Sequence, residues 1–378
     1  WCKLMPVSPP AEIGMALAEV DTPALIVDLD VFEANMERMA KAVRAMGVVF
    51  RPHAKTHKSA DIARAQMSHG AVGVCCQKVT EAEALVDAGI TDILVTNEVV
   101  GQKKIARLVQ LAKRAVLGVC VDNSGNVDSL NDCAAAHDVR LNTLVEINVG
   151  SGRCGVSPGP AAVALAKQVA TSSHLSFGGL QAYHGRAQHI RKFEERRLAI
   201  ASAASQVRET TTQLAAEDIV CARVTGAGTG TWQFEGTSGI YTELQAGSYL
   251  FMDADYGQNE DGDDEWSHGF GHSLFVYSTV MSLPDPARVV VDAGLKSMAF
   301  DSGMPVVVDD PCTEYGRPSD EHGNLQLSAS SKRYTLGDKV RLIPGHCDPT
   351  VNLHDWYVGV RAQEVEALWP VTARGALF

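Results

Sequence analysis

GVVFRPHAKTHKS, residues 47–59, is the stretch on which the reading of this chain turns. A β-branched run, Val48–Phe50, passes directly into a polar segment holding Arg51, His53, Lys55, His57 and Lys58. The first βα turn of a doubly wound sheet is rich in glycine, so that backbone can approach a phosphate. No glycine lies between Phe50 and Ser59. A buried strand that ends in cations and imidazoles fits the mouth of a (β/α)₈ barrel, where chemistry collects at the carboxyl ends of the strands.

Outward from this segment the same alternation repeats. Residues 31–46 place Phe32, Met36, Met39, Ala40 and Val43 on one stripe that Gly47 ends, the pattern of an amphipathic helix. Thr80–Glu83 reads as a capping box opening a helix that Gly89 closes. Further helices are expected at 102–115, 124–137, 158–172 and 193–216, with strands at 49–53, 72–76, 93–96, 117–121, 143–148, 176–183, 222–226 and 243–251. Eight strands over about 230 residues approach the size of a (β/α)₈ TIM-type barrel. After residue 257 the polar stretch NEDGDDEWSHGFGH (259–272) reads as a linker, and strand-like runs at 273–282, 288–292, 304–308, 332–343 and 356–361 form an all-β domain. The expected organisation is an extension (1–19), a strand segment (20–30) in which ALIVDLD joins the β domain, the barrel (31–257) and the C-terminal β domain (258–378).

The 378 residues are 46% hydrophobic and 21% charged, the balance of a globular α/β protein, with a formal net charge of −12. No basic stripe appears, which speaks against nucleic acid or an anionic membrane as partner. The apolar runs are strand-length, too short to span a bilayer, so a soluble protein is expected. Nine cysteines form no CxxC pair. They read as reduced thiols in a reducing compartment, hence a cytoplasmic location, although a chain starting at Trp1 leaves a removed organellar leader open.

The strand ends are uniformly polar. They carry Lys55, Gln77, Thr96-Asn97-Glu98, Asp122-Asn123, Asn148 with the turn GSGRCGV around Arg153, Tyr183-His184-Gly185 with Gln188-His189, TGAGTGTW (225–232), and ELQAGSYLFMD (243–253). A core strand needs no such ending, and eight in order mark a site. An amine that forms a Schiff base must be held in place and partly desolvated, as Lys55 would be in a barrel mouth. On residue type alone Arg51, Lys55 and Lys58 read equally as solvated charges. The N–H groups of Thr225–Gly230 can cradle a phosphate, although such turns are often only turns. In PGHCDP (344–349) an extended backbone would put His346 and Asp348 on one face and Cys347 on the other. That pair suits a divalent Mg²⁺, Mn²⁺ or Zn²⁺, or simply a hydrogen-bonded turn. Asp320-Glu321-His322 is a second polar cluster with the same two readings.

RPHAKTHKS (51–59), GVCCQKVTEAEAL (73–85), TNEVVG (96–101), GRCGV (152–156), LQAYHG (180–185), GAGTGT (226–231), ELQAGSYLFMDADYG (243–257), DEHG (320–323) and PGHCDPTVNLHDW (344–356) together resemble the D-threonine aldolase group of fold-type III pyridoxal-phosphate enzymes. That group also holds 3-hydroxy-D-aspartate aldolases and D-serine dehydratases, and the resemblance runs from DTPALIVDLD (21–30) to WPVTARG (369–375). It implies an alanine-racemase-like barrel carrying pyridoxal 5′-phosphate, a β domain carrying a divalent metal at His346 and Asp348, and a homodimer whose second subunit completes the site. Lys55 is then the Schiff-base lysine, Arg153 faces the phenolic oxygen, and Gln245 faces the pyridine nitrogen. Gly228, Thr229, Gly230, Gly247, Ser248 and Tyr249 become phosphate and ring contacts, Gln77 and Tyr183 line the cofactor, and His189 is the acid/base group at the β-hydroxyl. Ala227 departs from the family pattern where a third glycine is common, a minor change unless φ is positive there.

The implied activity is retro-aldol cleavage of a D-β-hydroxy amino acid, D-threonine giving glycine and acetaldehyde. A 3-hydroxy-D-aspartate aldolase, a dehydratase on the same scaffold, a non-catalytic cofactor carrier and a racemase are the rivals. A carrier needs no β domain with a metal pair, and a racemase would want a tyrosine where that pair stands. A substrate with a second carboxylate would call for a further cation, for which Arg186 and Arg191 are candidates; both read equally as solvated charges.

Overall fold

The computed structural model describes residues 7–262, 266 and 269–378. Residues 1–6 of the expected extension, Cys2 among them, and 263–265 and 267–268 of the expected linker lie outside the described residues.

The chain enters through β1 (Ala24–Asp28) and α1 (Leu29–Met46). Asp28 caps α1 by accepting from Val31 N at 3.1 Å, Gly47 ends it at φ 66°, and the predicted stripe from Phe32 to Val43 is buried. Eight parallel strands follow: β2 (Val49–Phe50), β3 (Val74–Cys76), β4 (Asp92–Glu98), β5 (Val116–Val121), β6 (Leu141–Glu146), β7 (Leu175–Gln181), β8 (Val224–Gly226) and β9 (Glu243–Leu244). Between them run α2 (Ala60–Ser68), α3 (Val79–Asp87), α4 (Gln102–Leu111), α5 (Ser124–Ala136), α6 (Pro160–Thr171), α7 (Phe193–Ala216) and the short α8 (Trp232–Gly236). The sheet order is β2-β9-β8-β7-β6-β5-β4-β3. Its two ends meet just beyond β2, where Val72 N donates to Phe50 O at 3.0 Å and Cys75 N to Pro52 O at 2.8 Å, and His53 bridges Cys75. The ring is thereby closed as a barrel, and no strand edge is left to solvent.

Two local expectations are corrected. The capping box sits at Lys78 and Glu81, not at Thr80 and Glu83. Glu81 accepts from Gln77 N (2.8 Å) and Lys78 N (3.1 Å), whereas Thr80 is turned to the C-terminal Phe378, whose N donates to its hydroxyl at 3.1 Å. The strand expected at 243–251 stops at Leu244, and Ser248–Leu250 forms a 3₁₀ turn. Gly247 explains the turn, because a Cβ there would lie 2.8 Å from His53 O.

The remaining strands are β10 (Leu274–Asp285), β11 (Arg288–Val291), β12 (Val306–Val307), β13 (Glu314–Gly316), β14 (Gly323–Gln326), β15 (Lys339–Ile343), β16 (Trp356–Arg361) and β17 (Glu364–Pro370). β1 lies in this mostly antiparallel sheet, between antiparallel β10 and parallel β16. One short helix, α9 (Cys347–Val351), interrupts the all-β pattern. Phe32 of α1 packs on Trp369 of β17 at 5.5 Å, and the Tyr357 hydroxyl donates to His57 O at 2.7 Å, joining sheet to barrel. No helix among the described residues is long and apolar enough to cross a membrane. The eight described cysteines are free thiols.

Arg51 and Lys58 are not solvated. Arg51 is 4% exposed, donates to Glu243 of β9 at 3.1 Å and to Asp92 of β4 at 2.6 Å, and so ties the first barrel strand to the last and the third. Lys58 is buried and pairs with Glu81 at 3.0 Å. Removing one partner of a buried pair strands the other charge, so Arg51→Met is expected to cost about 3–5 kcal/mol in urea unfolding. Asp92→Asn, at the more exposed end of the network, is expected to cost under about 1 kcal/mol in the same measurement.

Candidate active site

The carboxyl ends of the barrel strands surround a cavity walled by His53, Lys55, Thr56, Gln77, Thr96, Arg153, Gln181, Tyr183, Ala227–Thr229, Gln245, Gly247, Ser248 and Tyr256. A larger groove between α4 and α5 is lined by groups such as Gln102, Ile105, Asn126 and Asp132, with no cationic side chain. An anionic ligand is therefore better served by the barrel mouth.

Lys55 projects into this mouth with its side chain 40% exposed, and its amine donates to Asp348 across from the β domain. Burial acts to lower its pKa, but the Asp348 carboxylate outweighs this and holds the amine above its ordinary value. The expected desolvation is thus overridden by an ion pair. Asp348 is held well below the usual carboxylate range, burial being offset by Lys55 and then His346. One wall is a neutral network, in which Gln77 Nε2 donates to His53 Nε2 at 2.9 Å and to Thr96 Oγ1 at 3.0 Å. Burial, then Lys55, keeps the His53 imidazole neutral by pushing its pKa well down.

The turn after β8 and the 3₁₀ turn after β9 follow adjacent strands and both line the cavity. Among the described residues the N–H groups of Gly228, Thr229, Ser248 and Tyr249 make no hydrogen bond within the chain, and the buried Thr229 hydroxyl has no partner. Unpaired buried donors cost free energy unless a ligand satisfies them. Gly230 is required by close packing, since a Cβ there would lie 2.5 Å from the Gln188 carbonyl oxygen; at Gly228 it would meet the end of the Gln188 side chain at 2.5 Å. Ala227 has φ 73°, so its methyl is not a neutral departure; a non-glycine residue there costs roughly 1–2 kcal/mol. The Gly230 N–H is already donated to Gln188 Oε1 at 3.0 Å, and Gly230 faces away from the cavity. The Tyr249 ring is also outside it, buried against Phe50 and Phe270, with Gln66 donating to its hydroxyl at 3.0 Å.

Arg153 reaches the cavity from the turn after β6, 3.8 Å from Glu146 and over the Tyr183 ring at 5.6 Å. Burial and the neighbouring Glu98 push the Glu146 carboxyl up to about 8. His189 stacks on Tyr256, a wall residue, at 5.6 Å, and its Nδ1 is 2.5 Å from Asp255 Oδ2. A carboxylate on Nδ1 leaves Nε2 as the free acceptor, the arrangement that serves a base. Arg191, which also donates to Asp255, is committed there and to Asn259 at 2.9 Å.

His346 is not on an extended run with Asp348; it is the N-cap of α9, and Cys347 is buried beneath. His346 Nδ1 contacts Asp301 Oδ2 at 2.7 Å, which orients the ring and leaves Nε2 free. Asp348 Oδ1 accepts from Ser248 at 3.3 Å, so α9 and the 3₁₀ turn after β9 are in contact. Asp320–His322 is exposed; Glu321 pairs with Lys296 and His322 meets Ser319 at 3.4 Å. Among the described residues the one trio of close ligand atoms, within 4.8 Å of one another, is Glu98, Asp122 and Cys154 at the ends of β4 to β6. Asp255, Asp301, Gln181 and Tyr256 were not singled out from the sequence. Tyr256 and Asp255 stand in the motif DADYG and Gln181 in LQAYHG, which were the available signals; Asp301 carried none.

Residues 27–255 match the family model described as alanine racemase, N-terminal domain, and residues 273–360 match the putative serine dehydratase domain. The chain is 47% identical to a 3-hydroxy-D-aspartate aldolase of Paracoccus denitrificans, over 97% of this chain and 95% of that one. It is equally 47% identical to a D-threonine aldolase of an Arthrobacter species, over 97% and 96%. The crystal structure of D-threonine aldolase from Filomicrobium marinum superimposes with a TM-score of 0.96 at 49% identity, covering 98% of this chain and 100% of that one.

In α8, just after the turn that follows β8, Glu235 is fully buried; Thr231 donates to its Oε1 at 2.8 Å and Oε2 has no partner. Burial raises its pKa from 4.5 to about 8. The folded state then holds a proton that the unfolded chain releases, so stability is greatest below about 4.5 and falls as pH rises to about 8. Thermal unfolding of Glu235→Gln across this range is expected to lose that component, whose slope is at most ~1.4 kcal/mol per pH unit.

Proposed function

The chain belongs to the alanine-racemase-like family that contains the D-threonine and 3-hydroxy-D-aspartate aldolases, and from that premise we propose that it is a carbon–carbon lyase cleaving D-β-hydroxy amino acids with pyridoxal phosphate and a divalent cation. One observation carries the reading: the Lys55 amine enters the same cavity as Gly228, Thr229 and Ser248, whose N–H groups are unpaired, and contacts Asp348 of the cation pair. The residues fit the cofactor. The unpaired donors and the Thr229 hydroxyl suit its phosphate, Lys55 its aldehyde, and Arg153 its phenolic oxygen, with Gln77 and Tyr183 flanking. Bound there, pyridoxal phosphate supplies the electron sink for the pair released when a Cα bond breaks.

His346 and Asp348 also fit a cation. Engaging the Lys55 amine elsewhere leaves Asp348 a largely buried carboxylate without its counter-charge, a state that a cation relieves. An imidazole and a carboxylate suit Mn²⁺ or Mg²⁺, with Zn²⁺ third, and the ion would polarise the substrate β-oxygen. His189 is the base for the β-hydroxyl proton, with Asp255 stabilising the imidazolium that forms. The free thiols support a cytoplasmic location. Leu295, Met304 and Val306, each 46–49% exposed on the β domain, support a homodimer.

With D-threonine, added Mn²⁺ and pyridoxal phosphate, the expected products are acetaldehyde and glycine, abolished by EDTA while the cofactor stays bound. With 3-hydroxy-D-aspartate the aldehyde product is glyoxylate. The match to a serine dehydratase domain model favours one alternative, and 2-ketobutyrate plus ammonia from D-threonine would establish it. Lys55→Ala is expected to lose the visible absorbance of the bound cofactor; survival of that band removes Lys55 from its role. His189→Asn is expected to keep the band and lower kcat by roughly 10²–10⁴.

A further inference from the structure

Gln181 and Gln245 lie side by side in the cavity wall, 2% and 3% exposed. Side-chain amide oxygen and nitrogen are told apart by their partners, and here the partners leave one assignment. Glu243 is a buried acceptor held by Arg51 at 3.1 Å. The Thr225 hydroxyl, 2.9 Å from Glu243 Oε1, must donate to it, which leaves Thr225 Oγ1 only as an acceptor toward Gln245 at 2.7 Å. Gln245 therefore presents its nitrogen to Thr225. Its second N–H goes to Gln181 Oε1 at 2.8 Å, and Gln181 Nε2 returns a hydrogen bond to Gln245 Oε1 at 3.1 Å. Both N–H groups of Gln245 are spent inside the protein. Of the four amide N–H groups on the pair, the second one of Gln181 alone has no partner among the described residues.

We infer that Gln181 is the group that donates to the pyridine nitrogen of pyridoxal phosphate, with Gln245, Thr225 and Glu243 as positioning residues that orient it; this rests on the cofactor reading above. The role expected for Gln245 thus passes to its neighbour. A neutral amide donor meets an unprotonated ring nitrogen, whereas Gln245 Oε1, the competing contact, could only accept from a protonated one.

Two measurements test this. Apoprotein is titrated with pyridoxal phosphate and with its 1-deaza analogue, in which C–H replaces the ring nitrogen. The wild type is expected to prefer the natural compound roughly fivefold, as one hydrogen bond allows. Gln181→Leu is expected to abolish the preference, and Thr225→Val to reduce it by freeing Gln245 to rotate. Equal binding of both compounds by the wild type, or an intact preference in Gln181→Leu, overturns the inference. The second measurement needs no variant: the ¹⁵N shift of ring-labelled cofactor in the wild-type holoprotein is expected to be that of a hydrogen-bonded neutral pyridine, and a pyridinium shift assigns the contact to Gln245 instead. Failure of the wild type to bind pyridoxal phosphate at all is a different result, and it refutes the cofactor reading itself.

Discussion

The buried ion pair between Arg51 and Glu243 is the interaction on which the rest of this barrel depends. It lies where the first and last strands meet, the one place a (β/α)₈ ring must be closed by residues distant in sequence. Room for the guanidinium comes from Gly73, where a Cβ would stand 2.7 Å from an Arg51 nitrogen. With both charges removed from water, neither can lose its partner cheaply. The register of β2 is thereby held, and Lys55, four residues on, is delivered to the mouth. The same Glu243 takes the Thr225 hydroxyl, so one charge at the seam also dictates the direction of hydrogen bonds in the cavity wall.

The site is divided between two structural units, and specific contacts keep the halves together. Asp253 at the end of the barrel accepts from Cys347 N at 3.0 Å, which fixes the start of α9. Ser248 and Lys55 then meet Asp348 from the barrel side. Behind them β1 belongs to the C-terminal sheet while leading directly into α1, and Tyr357 is tied to His57. Hinging between the units would break a buried tyrosine bond and separate Lys55 from its counter-charge. A rigid joint is what the proposed reaction needs, because its amine and the residues proposed to hold a cation come from different units.

Most of this architecture was legible in the residues. The alternation of strand and helix and the polar strand ends are local, and each survives in the structure. What stayed hidden is non-local or locally disguised. Nothing beside Asp301 announces that it orients His346, and nothing beside Asp255, 66 positions from His189, announces their hydrogen bond. The hairpin joining β16 to β17 turns on Ala362 and Gln363, both at positive φ, without the glycine or asparagine that marks such a turn. PGHCDP reads as extended, with His346 and Asp348 on one face, yet a helical turn follows His346. The pairing of Gln181 with Gln245 depends on strand neighbours that no spacing reveals.

The distribution of charge around the cavity bears on how the proposed chemistry is divided. The part of the wall proposed to meet the ring nitrogen is made of two amides and a threonine, and another part of a neutral imidazole, an amide and a threonine. Charged groups stand at the mouth: Lys55 with Asp348, Arg153 beside Glu146, and Asp255 beside His189. A ring nitrogen that meets only a neutral donor is a weaker sink than a protonated one, so less of the barrier is met by delocalisation into the ring. More must then be met at the β-oxygen, where the base and the cation pair lie. Such a division disfavours routes that begin by breaking Cα–H, which rely on the sink alone. It favours cleavage of Cα–Cβ, in which a developing carbonyl can be stabilised from outside the ring.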